Sequence, residues 1–500
     1  MRPTSFPLLA LALAASCTSE NPLDDPSSGE DSSTSAAPGG SSDASPTSTT
    51  PSSESGEIPS ETGGTTADTT GDGTETVDDT GPEPRCASDD DCGGDAPFCL
   101  DGACVACWDL PSPGDACEAA DPDAPFCAGG TCVSCSDENA EATCAAANPE
   151  LPACLDEQCV QCSDANASLC DGATPACVSG ECAPCSFHSQ CPASACNLWT
   201  GECLDATPQT IGPDGAHDFA TLTAAFAAVP AGGQGVFILH ENPGNAAYAE
   251  SVQLAGDRVI ALLGAAGTRP LVRGADNDPD QGIRVDDGAT LLIENLRFSG
   301  FHPVNNLAHH PLNITNARLA LDRTEVVDNR GAIRLTAGSE GRLRNTAVGV
   351  STNGTPAVRV SSSTLDAVYS TFVAENANSG TGANVPAGIA CAGLVAVNVR
   401  NSIVSNVSGA TTSIAGCAGV ISVSYSATRE AVAGMGNQVV GALDTDWFNS
   451  WPGDLRLSNA GANVFADIGQ WQAGDPPTDL DDSLRPTVDG TADYVGAQRP

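Results

Sequence analysis

The stretch TEVVDNRGAIRLTAGSEGRLRNTAVGVSTNGTPAVRVS, residues 324–361, decides the fold. Inside it an alternating apolar run, Ala332-Ile-Arg-Leu335, returns as Ala357-Val-Arg-Val360. A second motif, a hydroxyl residue followed by apolar residues and then Asn, occurs as Thr324-Glu-Val-Val-Asp-Asn329 and again from Thr346 to Asn353. Outward from this stretch the first motif recurs as Gly282-Ile-Arg-Val285, Leu312-Asn-Ile314 and Gly388-Ile-Ala-Cys391. The second recurs as Thr371-Phe-Val-Ala-Glu-Asn376 and Ser402-Ile-Val-Ser-Asn406. The anchors Thr324, Thr346, Thr371 and Ser402 stand 22, 25 and 31 residues apart. Short alternating runs repeated at that period predict an all-β chain wound as a right-handed parallel β-helix. Inward positions take Ile, Val, Leu and Ala, and the corners take Asn and Gly, which accept left-handed backbone. Asn at matched corners is expected to hydrogen-bond along the coil. An antiparallel sandwich would favour tight hairpins, whereas these spacings vary by whole loops.

The β-helix reading covers residues 204–500. A solenoid must cover its first rung, and Asp218-Phe-Ala-Thr-Leu-Thr-Ala-Ala-Phe-Ala-Ala-Val229-Pro230 predicts a capping helix. Phe219, Leu222, Phe226 and Val229 share one face, with Asp218 as N-cap and Pro230 as stop. This opening, with Val236-Phe-Ile-Leu239, Tyr248-Ala-Glu-Ser-Val252 and Val259-Ile-Ala-Leu-Leu-Gly264, resembles that of pectate-lyase-like β-helix proteins. The tail, Asp479 to Pro486 and Asp489 to Gly496, is similar to the terminal motif of anchored bacterial surface β-helices. The resemblance implies the fold and leaves function open, since this superfold carries lyases, hydrolases and adhesins alike.

Two features of the repeat bear on sites. Cys391-Ala-Gly and Cys417-Ala-Gly stand 26 residues apart, one turn, in like local sequence. In register they are stacked neighbours at about 4.8 Å, within disulfide reach. Arg284, Arg334 and Arg359 occupy the same outward slot of three rungs, with Asn313 between the first two. Stacked, they form a basic stripe on an acidic protein, suited to an acidic extracellular polysaccharide; the bland alternative is solvated arginines on exposed strand positions. Catalysis has thinner support. A glycosidase needs two carboxylates roughly 5–9.5 Å apart, and Asp286-Asp287 is the one adjacent pair on a rung, itself a good turn with Gly288. Polygalacturonase-like β-helices carry Gly-His-Gly and Arg-x-Lys motifs, and neither is present. A lyase on this coil would use an arginine base with clustered calcium carboxylates. The six histidines show no ligand spacing, and His309-His310 reads as a loop.

Residues 86–203 hold twenty cysteines in a unit C-x(6–9)-C-x4-C-x2-C. Its copies are Cys92, Cys99, Cys104, Cys107; Cys117, Cys127, Cys132, Cys135; Cys144, Cys154, Cys159, Cys162; and Cys170, Cys177, Cys182, Cys185, with Cys86 before and Cys191, Cys196, Cys203 after. The C-x2-C pairs also match zinc sites. Against metal stand the upstream export signal, the absence of any basic residue among twenty acids, and the two cysteines each unit would leave over. Units this small need cross-links in place of a core. The array resembles tandem disulfide-rich repeats of bacterial surface proteins, EGF-like or Dickkopf-like in spacing, and its pairing stays open. Asp89-Asp90-Asp91 lacks the alternation of an EF-hand loop, so calcium is a weak expectation and no cofactor is required.

Residues 18–85 are Ser, Thr, Gly, Pro and acid almost throughout, with fifteen acids and one arginine. Such a segment cannot bury enough surface to fold and reads as a disordered, charge-extended stalk. Residues 1–17 read as an export signal: Arg2, the apolar run Phe6 to Ala15, then Cys17. The run is too short for a membrane span and resembles a bacterial lipobox, with Ala14 where Leu is commonest. That resemblance implies a lipid on Cys17 that anchors the chain to a membrane.

Over 500 residues the net charge is −45, and all nineteen basic residues are arginine. Nucleic-acid binding is thereby excluded, as is chemistry that needs lysine. The sequence therefore predicts a secreted protein, lipid-anchored at the outer membrane or cell surface, that presents a β-helix for binding or adhesion. A polysaccharide lyase or glycoside hydrolase on the same coil is the alternative.

Overall fold

The chain from Pro208 to Val439 lays down its strands in a fixed rotation among three parallel sheets of nine, nine and seven strands. One turn runs Thr290–Glu294 in the first sheet, Arg297–Phe298 in the second and Leu312–Thr315 in the third, and the next begins at Arg318–Asp322. This computed structural model describes residues 86–500, apart from 94–95, 129, 136–143, 147, 275–281, 302–309, 352–354, 376–386, 407–411 and 418. The described residues belong to one compact unit. Cys17, the stalk, His309, Asn353 and Asn376 lie outside them.

The recurring runs of the sequence fall where their alternation demands. Ile283–Asp286, Leu312–Thr315, Ile333–Thr336, Val358–Ser361 and Ile389–Ala392 are neighbours in the third sheet. Their apolar partners Ile283, Leu312, Ile333, Val358 and Ile389 stack in register into one core and are essentially inaccessible. The hydroxyl-led motifs supply the second sheet, with Phe298, Val326, Val348, Phe372 and Val404 stacked inward.

Between the first and second sheets every rung from Thr290–Glu294 onward turns through a left-handed residue: Asn295, Arg323, Asn345, Tyr369, Asn401 and Tyr425, with φ from 45° to 57°. The residue after it is a buried hydroxyl in Thr324, Thr346, Ser370, Ser402 and Ser426. Each donates to the carbonyl two residues back, at 2.8–3.1 Å. Ser402 Oγ also accepts from Ser370 N at 3.0 Å, and Ser426 Oγ from Ser402 N at 3.1 Å, which ties successive rungs. The anchor series is thus corrected at one place. Thr371 is the outward partner of Ala347 and Ile403, and Ser370 holds the corner. Two adjacent hydroxyls offered the sequence two registers, and the corner takes the one that feeds Phe372 inward.

The motif asparagine Asn329 bonds along the coil as expected, donating to Phe298 O and accepting from Phe301 N, both at 3.1 Å; the left-handed corner asparagines turn to the tail. Asn345 donates to Thr478 O at 2.9 Å, and Asn401 both donates to Gln470 O and accepts from Gln470 N at 2.9 Å. Both bind the C-terminal segment, and Asn345 also donates to Asp322 Oδ1 of the preceding rung at 3.4 Å.

The first rung is covered by the helix Leu222–Ala228, whose N-cap is Thr221, accepting from Ala224 N at 3.1 Å. Asp218 is not the cap. Phe219 is drawn into a parallel bridge with Ile211, so the chain stays extended there and Asp218 accepts from Thr210 N at 2.7 Å. Glu250 takes Leu222 N and Thr223 N, both at 2.9 Å. Leu222 and Phe226 are buried as the amphipathic pattern requires. At the other end Asn437 donates to Val423 O at 2.9 Å and Val432 packs on the core, so residues 429–437 cover the last rung.

The tail does not close an end. Residues 443–500 lie along the outer face of the second sheet, where Leu443, Phe448, Phe465, Leu480 and Val495 bury Val327, Ala347, Val373 and Ile403. The segment is pinned by Arg485, whose side chain has no exposure and pairs with Asp493 at 3.0 Å. The guanidinium lies 3.7 Å from the centre of the Tyr369 ring and donates to Asn345 Oδ1 and Gly496 O.

Ten disulfides close the cysteine array, and they move its frame by one cysteine. Cys86–Cys99 and Cys92–Cys104 make a complete unit, and so on to Cys185–Cys196 and Cys191–Cys203. There are five units, each bonded first to third and second to fourth, with no partial copy. The second and third sequence-unit cysteines face each other across a hairpin, as Cys99 and Cys104 do, and C-x2-C is the link between units. That link docks on the next hairpin turn: Cys107 N reaches Gly130 O at 2.9 Å, and Cys185 N reaches Gly201 O at 2.7 Å.

The fifth unit packs on the solenoid. Ala195 and Leu204 cover an outward column of the first sheet, Val236, Ala261, Leu292 and Ala320. Trp199 lies under Arg318 and Arg342, and Phe187 under Arg344. His188 is buried in this junction, accepting at Nδ1 from Cys196 N at 3.1 Å, and burial pushes its imidazole down to about 4. The Asp322 carboxyl beside it is raised by burial, opposed by Arg344 at 2.9 Å.

Candidate functional site

The outward column of the third sheet runs Gln253, Arg284, Asn313, Arg334, Arg359, Ala390, Ala415. The four residues singled out from the sequence are therefore consecutive rungs of one ladder. Rungs stand about 4.8 Å apart, which puts Arg334 beside Arg359 and Arg284 two rungs away. The column exists because side chains alternate faces along a strand: Ile283 and Val285 commit to the core, which sends Arg284 out.

The members differ in how they are held. Arg284 is exposed and pairs through Nε with Asp286 Oδ2 at 2.7 Å, where Gln253 Nε2 also donates at 2.9 Å. Arg334 and Arg359 are half-buried and make no ion pair among the described residues. Arg334 Nε and Asn313 Oδ1 are inaccessible to water and without a hydrogen-bond partner there. Buried polar atoms left in that state cost roughly 1–3 kcal/mol each. The neighbouring outward column adds Thr315, Thr336 and Ser361, with Thr336 Oγ1 donating to Thr315 Oγ1 at 3.2 Å. The face thus offers guanidinium forks, amides and hydroxyls side by side.

Among the described residues carboxylates do not gather around it. Asp286 is buried against Arg284, while Asp287 is an exposed turn residue with φ 54°, so the adjacent pair serves the corner and does not flank a bond. Cys391 and Cys417 form a disulfide between adjacent turns, with Cα atoms 4.9 Å apart. Asp89 and Asp91 close a local turn, accepting from Cys99 N at 2.6 Å and Ala87 N at 2.7 Å. The N–H groups of Ala87 and Ser88 hold the Asp91 carboxyl below its usual range. The cysteine groups with metal-like spacing are all disulfide-bonded.

A second concave feature escaped the sequence reading. A cleft of about 270 Å³ opens between the fifth disulfide unit, the first sheet and the C-terminal segment, lined by Arg342, Arg344, Arg400, Asp366, Val368 and Asp475. Arg400 and Asp475 are bonded through both terminal guanidinium nitrogens. Their separation of 75 residues left no local signal.

Fold and face together define a disulfide-braced parallel β-solenoid that displays an arginine ladder. A family of unknown function, DUF8331, matches residues 68–142 and 112–208. The overlapping matches fall on the tandem units and end where the first solenoid strand, Pro208–Ile211, begins. No curated protein matches the chain. Among the described residues no helix is long and apolar enough to cross a membrane.

Proposed function

We propose that this chain is a surface-displayed binding protein whose third sheet holds an acidic extracellular polysaccharide along Arg284, Asn313, Arg334 and Arg359. The observation that carries the reading is the register of those four residues on consecutive rungs. Guanidinium forks recognise carboxylates bidentately, and a linear polyanion matches a ladder of repeating spacing. The protein as a whole is strongly acidic, so a long polyanion would be repelled from most of the remaining surface.

The disulfide array favours an oxidising compartment outside the cytosol. With a lipid on Cys17 and the acidic stalk, the chain would stand off a membrane at the outer surface of a cell, the array serving as spacer.

The test is a glycan array probed with the full chain, followed by titration of the hits against salt. Arg334→Gln with Arg359→Gln should weaken binding of uronate- or sulfate-bearing glycans by about tenfold or more, since each charge-assisted bond is worth about 1.5–3 kcal/mol. Equal binding by the double variant, or release of unsaturated sugars from polyuronates by the purified chain, defeats the reading.

A further inference from the structure

The cleft against the fifth disulfide unit has a construction of its own. Arg344, Val368 and Arg400 are consecutive in one outward column of the first sheet, and Arg342 and Asp366 are neighbours in the column beside it. We propose that this cleft binds a small hydroxylated carboxylate of the kind a uronic acid presents. It lies on a different sheet from the arginine ladder and does not depend on that ladder's function.

Spacing comes first. The backbones of Arg344 and Arg400 are two rungs apart, about 9.6 Å, with one apolar side chain between them. Charge-assisted N–H···O contacts of about 2.8 Å on either side of a single carboxylate fill a gap of that order. The half-buried Val368 backs it and keeps water from competing.

Preparation comes next. Each guanidinium is already oriented by the protein. Arg342 donates to Leu198 O and lies 5.1 Å from the Trp199 ring centre. Arg344 donates to Ser186 O at 2.6 Å, pairs with Asp322 and lies 4.5 Å from the Phe187 ring centre. Arg400 is clasped by Asp475. A guanidinium has five donors, so these bonds leave others on each, and side chains held in place lose little entropy on binding.

The carboxylates choose the ligand. Asp475 is spent on Arg400, Asn401 and Gln472 N. Asp366 is exposed and makes no hydrogen bond among the described residues. A free acceptor beside the arginines repels a bare phosphate but accepts from sugar hydroxyls, which favours an acid that carries both groups.

The full chain is titrated by calorimetry with D-glucuronate, D-glucose and inorganic phosphate. Saturable millimolar binding of glucuronate is expected, none of glucose, and phosphate weaker by about tenfold. Val368→Phe fills the gap without removing a charge and should abolish glucuronate binding with the melting temperature kept. Asp366→Asn, at an exposed position, should narrow the preference for glucuronate over phosphate and serves if the first variant fails to fold. The titrations are repeated in the Arg334→Gln, Arg359→Gln background, which removes the third-sheet ladder as a second uronate site, and the cleft's binding should persist there. No saturable glucuronate binding, undiminished binding by a folded Val368→Phe, or phosphate bound as tightly as glucuronate would each overturn the proposal.

Discussion

Arg485 shows what one charge can do when everything around it is dry. Burial holds its guanidinium below the ordinary value and raises the Tyr369 phenol under it, while Asp493 compensates the charge. Removing one member of such a pair strands the other, at about 3–5 kcal/mol. Arg485→Met is therefore expected to lower the stability of the C-terminal segment by that amount, read as early proteolytic release of residues 443–500. The double change with Asp493→Leu should recover part of it, because neither of these two charges is then left buried alone, while Arg499 still loses its partner Asp493 at 3.2 Å. At the corners Ser402 joins two rungs through one hydroxyl. Ser402→Ala leaves the Ser370 N–H without its acceptor and should cost about 1–3 kcal/mol in denaturant unfolding. Thr371→Ala removes only an acceptor for Ala497 N and should loosen the tail alone. The sequence made the hydroxyl series visible but not its register at 370 and 371, because both residues are competent donors. Only the inward demand of Phe372 separates them.

At the scale of elements, legibility followed burial. The third sheet was readable because one face is core and the other meets solvent, which writes a period of two into Ile-Arg-Val and Val-Arg-Val. The first sheet was not, and the reason is Val236, Ala261, Leu292 and Ala320. The fifth disulfide unit buries this outward column as the core buries the inward one, so the strands lose their alternation. The second sheet is covered in the same way by the tail at Ala347, Val373 and Ile403. The arginine ladder was therefore legible, on an open face, and the cleft was not, since it joins three segments distant in sequence. The junction of unit and sheet should respond to pH through His188. Its folded value of about 4 lies below the ordinary 6.5 because burial penalises the imidazolium. The unfolded chain thus binds the proton first, and stability present above pH 6.5 is lost as pH falls to about 4. The full shift corresponds to about 3 kcal/mol. Asp322, raised by burial, works in the opposite sense, so the histidine is isolated by comparison with His188→Gln, which retains an acceptor for Cys196 N. The stability advantage of the wild type over this variant should shrink across that window. A constant difference would mean that His188 does not titrate there.

For the whole molecule, cross-links and core are divided between the parts. Ten disulfides lie in the array, whose units have almost no apolar interior, and one lies in the solenoid, between Cys391 and Cys417. The array should therefore depend on oxidation and the solenoid should not. The single solenoid bridge closes a 26-residue separation, worth about 3 kcal/mol in the chain-entropy account. That is a modest fraction of what stacked Ile, Leu, Val and Phe columns supply. Under a reductant strong enough to open all of them, the far-ultraviolet β signal of residues 208–439 should persist while the array becomes protease-sensitive. The two parts nonetheless share a surface, since the fifth unit is the lid on an apolar column of the first sheet. Its unfolding should uncover Leu292 and its neighbours and raise the fluorescence of an apolar dye without loss of the β signal. Leu292→Arg in the oxidised protein should reproduce the dye response, because a charge there cannot be buried against Ala195 and Leu204. If reduction abolishes the β signal together with array structure, the units brace the coil instead of standing on it, and the division argued here between cross-linked spacer and self-sufficient solenoid is wrong.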